Sequence, residues 1–131
     1  MTHCNPTLLM IASRNGDICA IKQLLNRNYN IEETDELGKT ALMYASANNQ
    51  IDAIRQLCHS NANVNATDAQ GNTSLMLASI GNKFDVVEEL LKFHANPNIK
   101  NKYGQTALRI ARWNNNVETI TILEQYDAKT W

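Results

Sequence analysis

Asp35-Glu36-Leu37-Gly38-Lys39-Thr40-Ala41-Leu42 returns as Asp68-Ala69-Gln70-Gly71-Asn72-Thr73-Ser74-Leu75, and again as Asn101-Lys102-Tyr103-Gly104-Gln105-Thr106-Ala107-Leu108. Gly38, Gly71 and Gly104 stand 33 residues apart, and the same step backward takes Thr40 to Thr7, Leu42 to Leu9 and Ala45 to Ala12. A fixed period of this size means a stack of small modules, none of which can bury a core alone. Such stacks usually present a surface rather than a catalytic pocket.

Residues 35–67 show what one module is. Asp35-Glu36-Leu37-Gly38 is a turn signal, with Gly38 free to take a positive φ. Thr40 stands where a helix N-cap belongs, and Leu42 and Ala45 share a face of a short helix running to about Asn48. Asn49 ends that helix. A second begins near Gln50, with Ile51, Ile54, Leu57 and Cys58 forming an amphipathic stripe, and Asn61 fits a left-handed cap. The module is turn, helix, loop, helix. Its columns recur along the chain: Leu9, Leu42, Leu75 and Leu108; the small Ala12, Ala45, Ala78 and Ala111; and in the second helix Ile18, Ile51, Phe84 and Val117, then Ile21, Ile54, Val87 and Ile120, then Leu24, Leu57, Leu90 and Leu123. All of these are expected to merge into one continuous core.

The sequence has 18 Asn, a bias that can mark disordered, aggregation-prone tracts. Their placement argues otherwise. Asn49, Asn82 and Asn115 share the column that holds Gly16 in the first module, Asn28 and Asn61 share another, Asn30, Asn63 and Asn96 a third, and Asn65 and Asn98 a fourth. Asn tolerates left-handed backbone better than other non-Gly residues and closes local turns with its side chain.

Thr7, Thr40, Thr73 and Thr106 with the pattern Asp-x-x-Gly-x-Thr-x-Leu-x-x-Ala at this period resemble the ankyrin repeat family, whose signature is Thr-Pro-Leu-His-x-Ala. The resemblance covers nearly the whole chain as four repeats, at 1–34, 35–67, 68–100 and 101–131, in a single domain. It implies an all-α solenoid of four helix-turn-helix modules joined by β-turn loops. The signature Pro is replaced by Leu8, Ala41, Ser74 and Ala107, and the His by Met10, Met43, Met76 and Arg109. Since that His ties neighbouring turns together in the family, its replacement by Met implies more apolar contact between repeats. In the last repeat the Met column becomes Arg109, the Ser13, Ser46 and Ser79 column becomes Arg112, the Leu25, Cys58 and Leu91 column becomes Glu124, and the Ala20, Ala53 and Val86 column becomes Thr119. These changes read as a polar carboxy-terminal cap. Thr2 and Asn5, standing where Asp and Gly would be, read as an atypical first repeat, and the array is expected to be whole.

The formal charge of −1 and pI near 6.3 give no electrostatic reason to expect nucleic acid or an anionic membrane as partner. Cys4, Cys19 and Cys58 are odd in number and lack metal-like spacing, so reduced thiols are expected, in the cytoplasm, the nucleus or the cytosol of another cell into which the protein is delivered. His3, Cys4, Cys58, His59 and His94 are scattered without zinc-like pairing. No nucleophile–base–acid set, phosphate loop or dinucleotide fingerprint is present. No enzyme activity, cofactor or metal is expected.

Ankyrin arrays that bind proteins use the turn tips and exposed sides of the first helices, which line a concave groove. The resemblance carries that role to Leu37, Lys39, Tyr44, Ala47, Gln70, Asn72, Ile80, Tyr103, Gln105 and Trp113, with Asn48 and Asn114 beside them. Leu37, Ile80, Tyr103 and Trp113 are large apolar residues at positions expected to face solvent, as anchors for a partner. The opposing reading has Tyr103 and Trp113 shielding the last repeat's core, with Tyr44 packed beside them. The expectation is a monomeric adaptor or scaffold that binds another protein or peptide; the alternative is a regulatory or effector protein that inhibits or redirects an enzyme by occupying its surface. Leu57 followed by Val64-Asn65-Ala66 also resembles the context in which asparaginyl hydroxylases act on such repeats, although a turn-closing role for Asn65 is the favoured reading.

Overall fold

The structure is a computed structural model and describes residues 7–126; the readings placed on Thr2, His3, Cys4 and Asn5 lie outside the described residues. The described residues form helices α1 (Leu8–Asn15), α2 (Ile18–Asn26), α3 (Ala41–Ala47), α4 (Ile51–His59), α5 (Ser74–Ile80), α6 (Phe84–Lys92), α7 (Ala107–Trp113) and α8 (Val117–Gln125), with no strand among them. The helices pair as α1–α2, α3–α4, α5–α6 and α7–α8, and the pairs stack in chain order: α1, α3, α5 and α7 in one layer, α2, α4, α6 and α8 in the other.

Each first helix starts on its threonine. The hydroxyls of Thr7, Thr40, Thr73 and Thr106 accept from the backbone N–H of Met10, Met43, Met76 and Arg109 at 3.3, 3.4, 3.2 and 3.2 Å, satisfying an N–H the helix itself cannot. The second helices are tied differently. Gln50 and Asn116 donate to the carbonyls of Arg14 and Ser79 at 3.0 and 2.7 Å, so side chains at these helix starts fasten the end of the preceding repeat's first helix.

The chain reverses between helices at left-handed residues. Gly16, Asn49, Asn82 and Asn115 have φ between 52° and 70°, and Asn28 and Asn61 fill the second such column. His94 takes the same conformation at 69° where Asn would be expected. The local turn at Asn65 is closed by Asn63, whose Oδ1 accepts from Asn65 N–H at 3.0 Å, while Asn65 Oδ1 accepts from Asn96 N–H at 2.8 Å, joining repeat two to repeat three.

The Leu and Ala columns of the first helices are buried as expected, as are Met10, Met43 and Met76. Two second-helix columns depart from expectation. Ile18 and Ile51 are only half-buried, and Phe84 and Val117 are exposed. In α4 the buried set is Ala53, Ile54 and Leu57; at 3.6 residues per turn Ile51 lies about a third of a turn from its centre, at the stripe's edge. The second departure is Thr119, which is fully buried and donates to Asn82 Oδ1 at 2.8 Å. Its column looks back toward the preceding repeat and is therefore no part of a polar carboxy-terminal face. Arg109, Arg112 and Glu124 are exposed, and Arg112 forms an ion pair with Glu124, so two columns that turned polar satisfy each other.

Candidate functional site

The turns are built by one side chain each. Asp35 Oδ1 accepts from Leu37 and Lys39 N–H, both at 2.9 Å. Asp68 does the same for Gln70 and Asn72, and Asn101 for Tyr103 and Gln105. Such side-chain bonds to backbone N–H two and four residues on fix a tight turn. Adjacent turns then join: Ala69 N–H donates to the Leu37 carbonyl at 2.9 Å, and Lys102 N–H to the Gln70 carbonyl at 3.0 Å. The approach is close enough that a Cβ on Gly38 would lie 2.8 Å from the Ala69 nitrogen, and one on Gly71 3.0 Å from that of Lys102. Here glycine is required both for its positive φ and for the contact.

This ladder brings Leu37, Gln70 and Tyr103 into one row of tips. It also engages the polar residues assigned to the binding face, Lys39, Gln70, Asn72 and Gln105. Lys39 pairs with the buried Asp68 at 3.2 Å. One step along, Asn101 donates to Asn72 at 2.9 Å and to Gln105 at 3.0 Å, so an amide pair replaces the ion pair where the turn residue is Asn instead of Asp. Gln70 accepts from the Tyr103 hydroxyl at 2.8 Å.

A second row lies at the far end of the first helices, where Ala47, Ile80 and Trp113 are the last residues of α3, α5 and α7. A first helix of seven residues, about 10 Å long, lies between the rows. The strip between is Tyr44, Leu77 and Ile110, partly exposed at Tyr44 and Leu77 and buried at Ile110. Tyr44 donates its hydroxyl to Asp35, which places this strip on the same face as the tips and leaves Tyr44 half-buried as floor instead of projecting. Leu77 and Ile110 were missed in reading the sequence, although the 33-residue step from Tyr44 points at both.

The four apolar residues proposed as anchors are all exposed: Leu37 54%, Ile80 52%, Tyr103 69% and Trp113 87%. At such exposure neither Tyr103 nor Trp113 shields the last repeat's core, and Tyr44 sits by Asp35, in the module two repeats earlier. Ala47, Asn48, Gln70 and Asn114 are exposed too, whereas Lys39, Asn72 and Gln105 are half-buried in the ladder. Asn48 and Asn114 donate to the carbonyls of Tyr44 and Ile110 at 2.8 and 3.1 Å, closing the helix ends.

Burial pushes the Asp35 carboxyl up, but the bonds from Tyr44, Lys39 and Leu37 and the charge of Lys39 outweigh it and hold it below its ordinary value of 3.8. Elsewhere, burial and the nearby Glu89 carboxylate push the Cys58 thiol up to about 12, the environment of a structural cysteine. Among the described residues no group of three or more His, Cys, Asp or Glu side chains is placed to hold a metal ion, and no helix is long and apolar enough to cross a membrane.

A family model described as ankyrin repeats (three copies) matches residues 1–68, and one described as ankyrin repeats (many copies) matches residues 56–111. No curated protein matches the chain.

Proposed function

Because the chain belongs to the ankyrin repeat family, we propose that it takes a partner protein or peptide on the face made by its turn tips and first helices. Ankyrin repeats are generally modules for protein–protein interaction and typically non-catalytic. Leu37, Ile80, Tyr103 and Trp113 are the anchors, Tyr44, Leu77 and Ile110 the floor, and Gln70, Asn48 and Asn114 the polar neighbours that set orientation. The protein acts as an adaptor or scaffold; the odd number and scattered spacing of Cys4, Cys19 and Cys58 favour the cytoplasm as its compartment.

The observation that supports this reading most is Trp113, 87% exposed at the end of a helix. Trp is among the side chains enriched at interface hot spots, and Tyr103 in the same repeat is exposed as well. The row Ala47, Ile80, Trp113 grows in size from repeat to repeat, so the deepest contact is expected at repeat four. The turn ladder fixes the tips before any partner arrives, which limits the ordering entropy lost on binding.

Recovery of partners from extract by the wild type and by a Tyr103→Ala/Trp113→Ala double variant is the test. Partners retained equally by both would overturn the site. If a recovered partner is an enzyme whose activity falls on binding, the role is inhibitory rather than that of a scaffold.

A further inference from the structure

Repeats two to four each bury one side of their helix pair against the repeat before. Ala41, Ser74 and Ala107 are buried there, as are Leu57, Leu90 and Leu123, and Ala53, Val86 and Thr119. The bond from Thr119 back to Asn82 gives the sense of that face. In repeat one the same columns hold Leu8, Leu24 and Ala20. Leu8 is 63% exposed, and Leu24 and Ala20 are half-buried. With Ile11 they wall an open groove of about 310 Å³, lined also by Asp17 and Arg27.

Inside the array this kind of surface is covered by the forward face of the preceding repeat, made of Met and Ser columns. The forward face of repeat four carries Arg109, Arg112 and Glu124 instead, all exposed. Setting Arg109 and the Arg112–Glu124 pair against Leu8 and Leu24 would strip three charged groups of water against an apolar wall. Head-to-tail stacking, which would continue into an open filament, is therefore opposed. The groove suits a copy of itself better. Asp17 caps the start of α2 and Arg27 the end, so they lie about 15 Å apart along its axis. Both are exposed, and Arg27 has no ion pair among the described residues. Where two α2 helices cross antiparallel about a two-fold axis, each Asp17 meets Arg27 of the second copy. One Asp17 oxygen stays on Ala20 N–H, which leaves the other for that pairing, and the same register sets Leu24 over Ala20 of the second copy.

We propose that this amino-terminal face pairs two copies of the chain about a two-fold axis, through the apolar wall of Leu8, Ile11, Ala20 and Leu24 and reciprocal Asp17–Arg27 ion pairs. The dimer replaces the monomer expected from the sequence and leaves the face of Tyr103 and Trp113 on each copy free. The face of one helix pair is small for a specific interface, so the pairing is concentration-dependent.

Sedimentation velocity on the full chain over a concentration series tests this. The wild type is expected to move from monomer to dimer as concentration rises. Arg27→Glu and Asp17→Lys are each expected to stay monomeric, because each puts like charges across the axis, and their equimolar mixture to recover the dimer, because opposite charges then meet. Asp17→Lys also removes a helix cap, so both variants are first shown folded by circular dichroism; a variant that fails that check is replaced by Leu8→Arg, at an exposed position, expected to be monomeric as well. The Tyr103→Ala/Trp113→Ala variant is expected to dimerise like wild type. The proposal is overturned if the wild type is monomeric throughout, if the charge variants dimerise unchanged, if the double alanine variant loses the dimer, or if a dimer appears only when residues 1–6 are removed, which would assign the groove to the chain's own amino terminus.

Discussion

The hydroxyl of Tyr103 donates to the side-chain oxygen of Gln70 at 2.8 Å, across one repeat period. An aromatic ring this exposed would ordinarily sample several rotamers; the bond restrains it while its face stays open to solvent. Tyr103→Phe keeps the ring and loses the restraint, so it should weaken partner binding less than Tyr103→Ala does. The Tyr103→Ala/Trp113→Ala pair should cost at least about 2 kcal/mol, the threshold for hot-spot residues, read by titration calorimetry with a recovered partner. Lys22→Ala is the control, since Lys22 is exposed on α2. Arg55 is a poorer control because it pairs with Glu89 at 3.0 Å. Loss of binding in Lys22→Ala, with the double variant intact, would put the site on the other face.

Leu75 is 1% exposed at the centre of the array. Truncating it to Ala should destabilise the protein by about 2–5 kcal/mol, the range for a buried Leu. Arg109→Ala, at an exposed position, should stay within about 0.5 kcal/mol. Denaturant titration of both variants gives the comparison; equal costs would refute the assignment of core and end.

The lowered Asp35 pKa carries a pH signature. A carboxyl whose folded pKa lies below its unfolded value stabilises the fold fully above the unfolded value of 3.8 and loses that contribution as pH falls through the folded value. Asp35→Asn should therefore flatten the acid limb of a plot of melting temperature against pH. Its melting temperature at neutral pH should be somewhat lower, because the carboxylate's charge-assisted bonds and its attraction to Lys39 are lost. Parallel acid limbs for wild type and variant would contradict the assignment.

Cys58 and Cys19 should separate under alkylation. With its pKa pushed up to about 12, Cys58 is almost wholly thiol at neutral pH and reacts slowly, whereas Cys19 is exposed. Peptide mapping after timed iodoacetamide treatment should find Cys19 modified first; equal rates at the two positions would show that the Cys58 environment is open.

The sequence made the helices and their stacking readable because Thr40, Leu42 and Ala45 each repeat as a column, and a column constrains the backbone four times over. It was less informative on how far burial extends around a helix. Ile51 and Phe84 belong to an apolar stripe by type, yet lie at its edge, and periodicity reports a stripe's direction better than its width. Thr119 was misread because polarity alone does not say which neighbour a side chain faces; only its contact with Asn82 does. The left-handed His94 had no compositional cue beyond its place in the column of Asn28 and Asn61. At the candidate site the exposed anchors could be read from position, whereas the bonds of Lys39 to Asp68 and of Asn72 to Asn101 depend on the distance between adjacent turns, which no single module encodes.

Each helix packs on its own partner and on its counterparts in adjacent repeats, α3 on α1 and α5, α6 on α4 and α8. Native contacts therefore join residues about one period apart in the chain, a low contact order that favours rapid folding. Repeats two and three have a neighbour on both sides, and the fully buried Leu42, Met43, Leu75 and Met76 lie between them and their surroundings. Assembly should begin at that central pair and spread outward, since a stack of this kind can nucleate wherever one interface closes. Amide hydrogen exchange would record the order as protection greatest in α3 to α6 and declining toward α1 and α8.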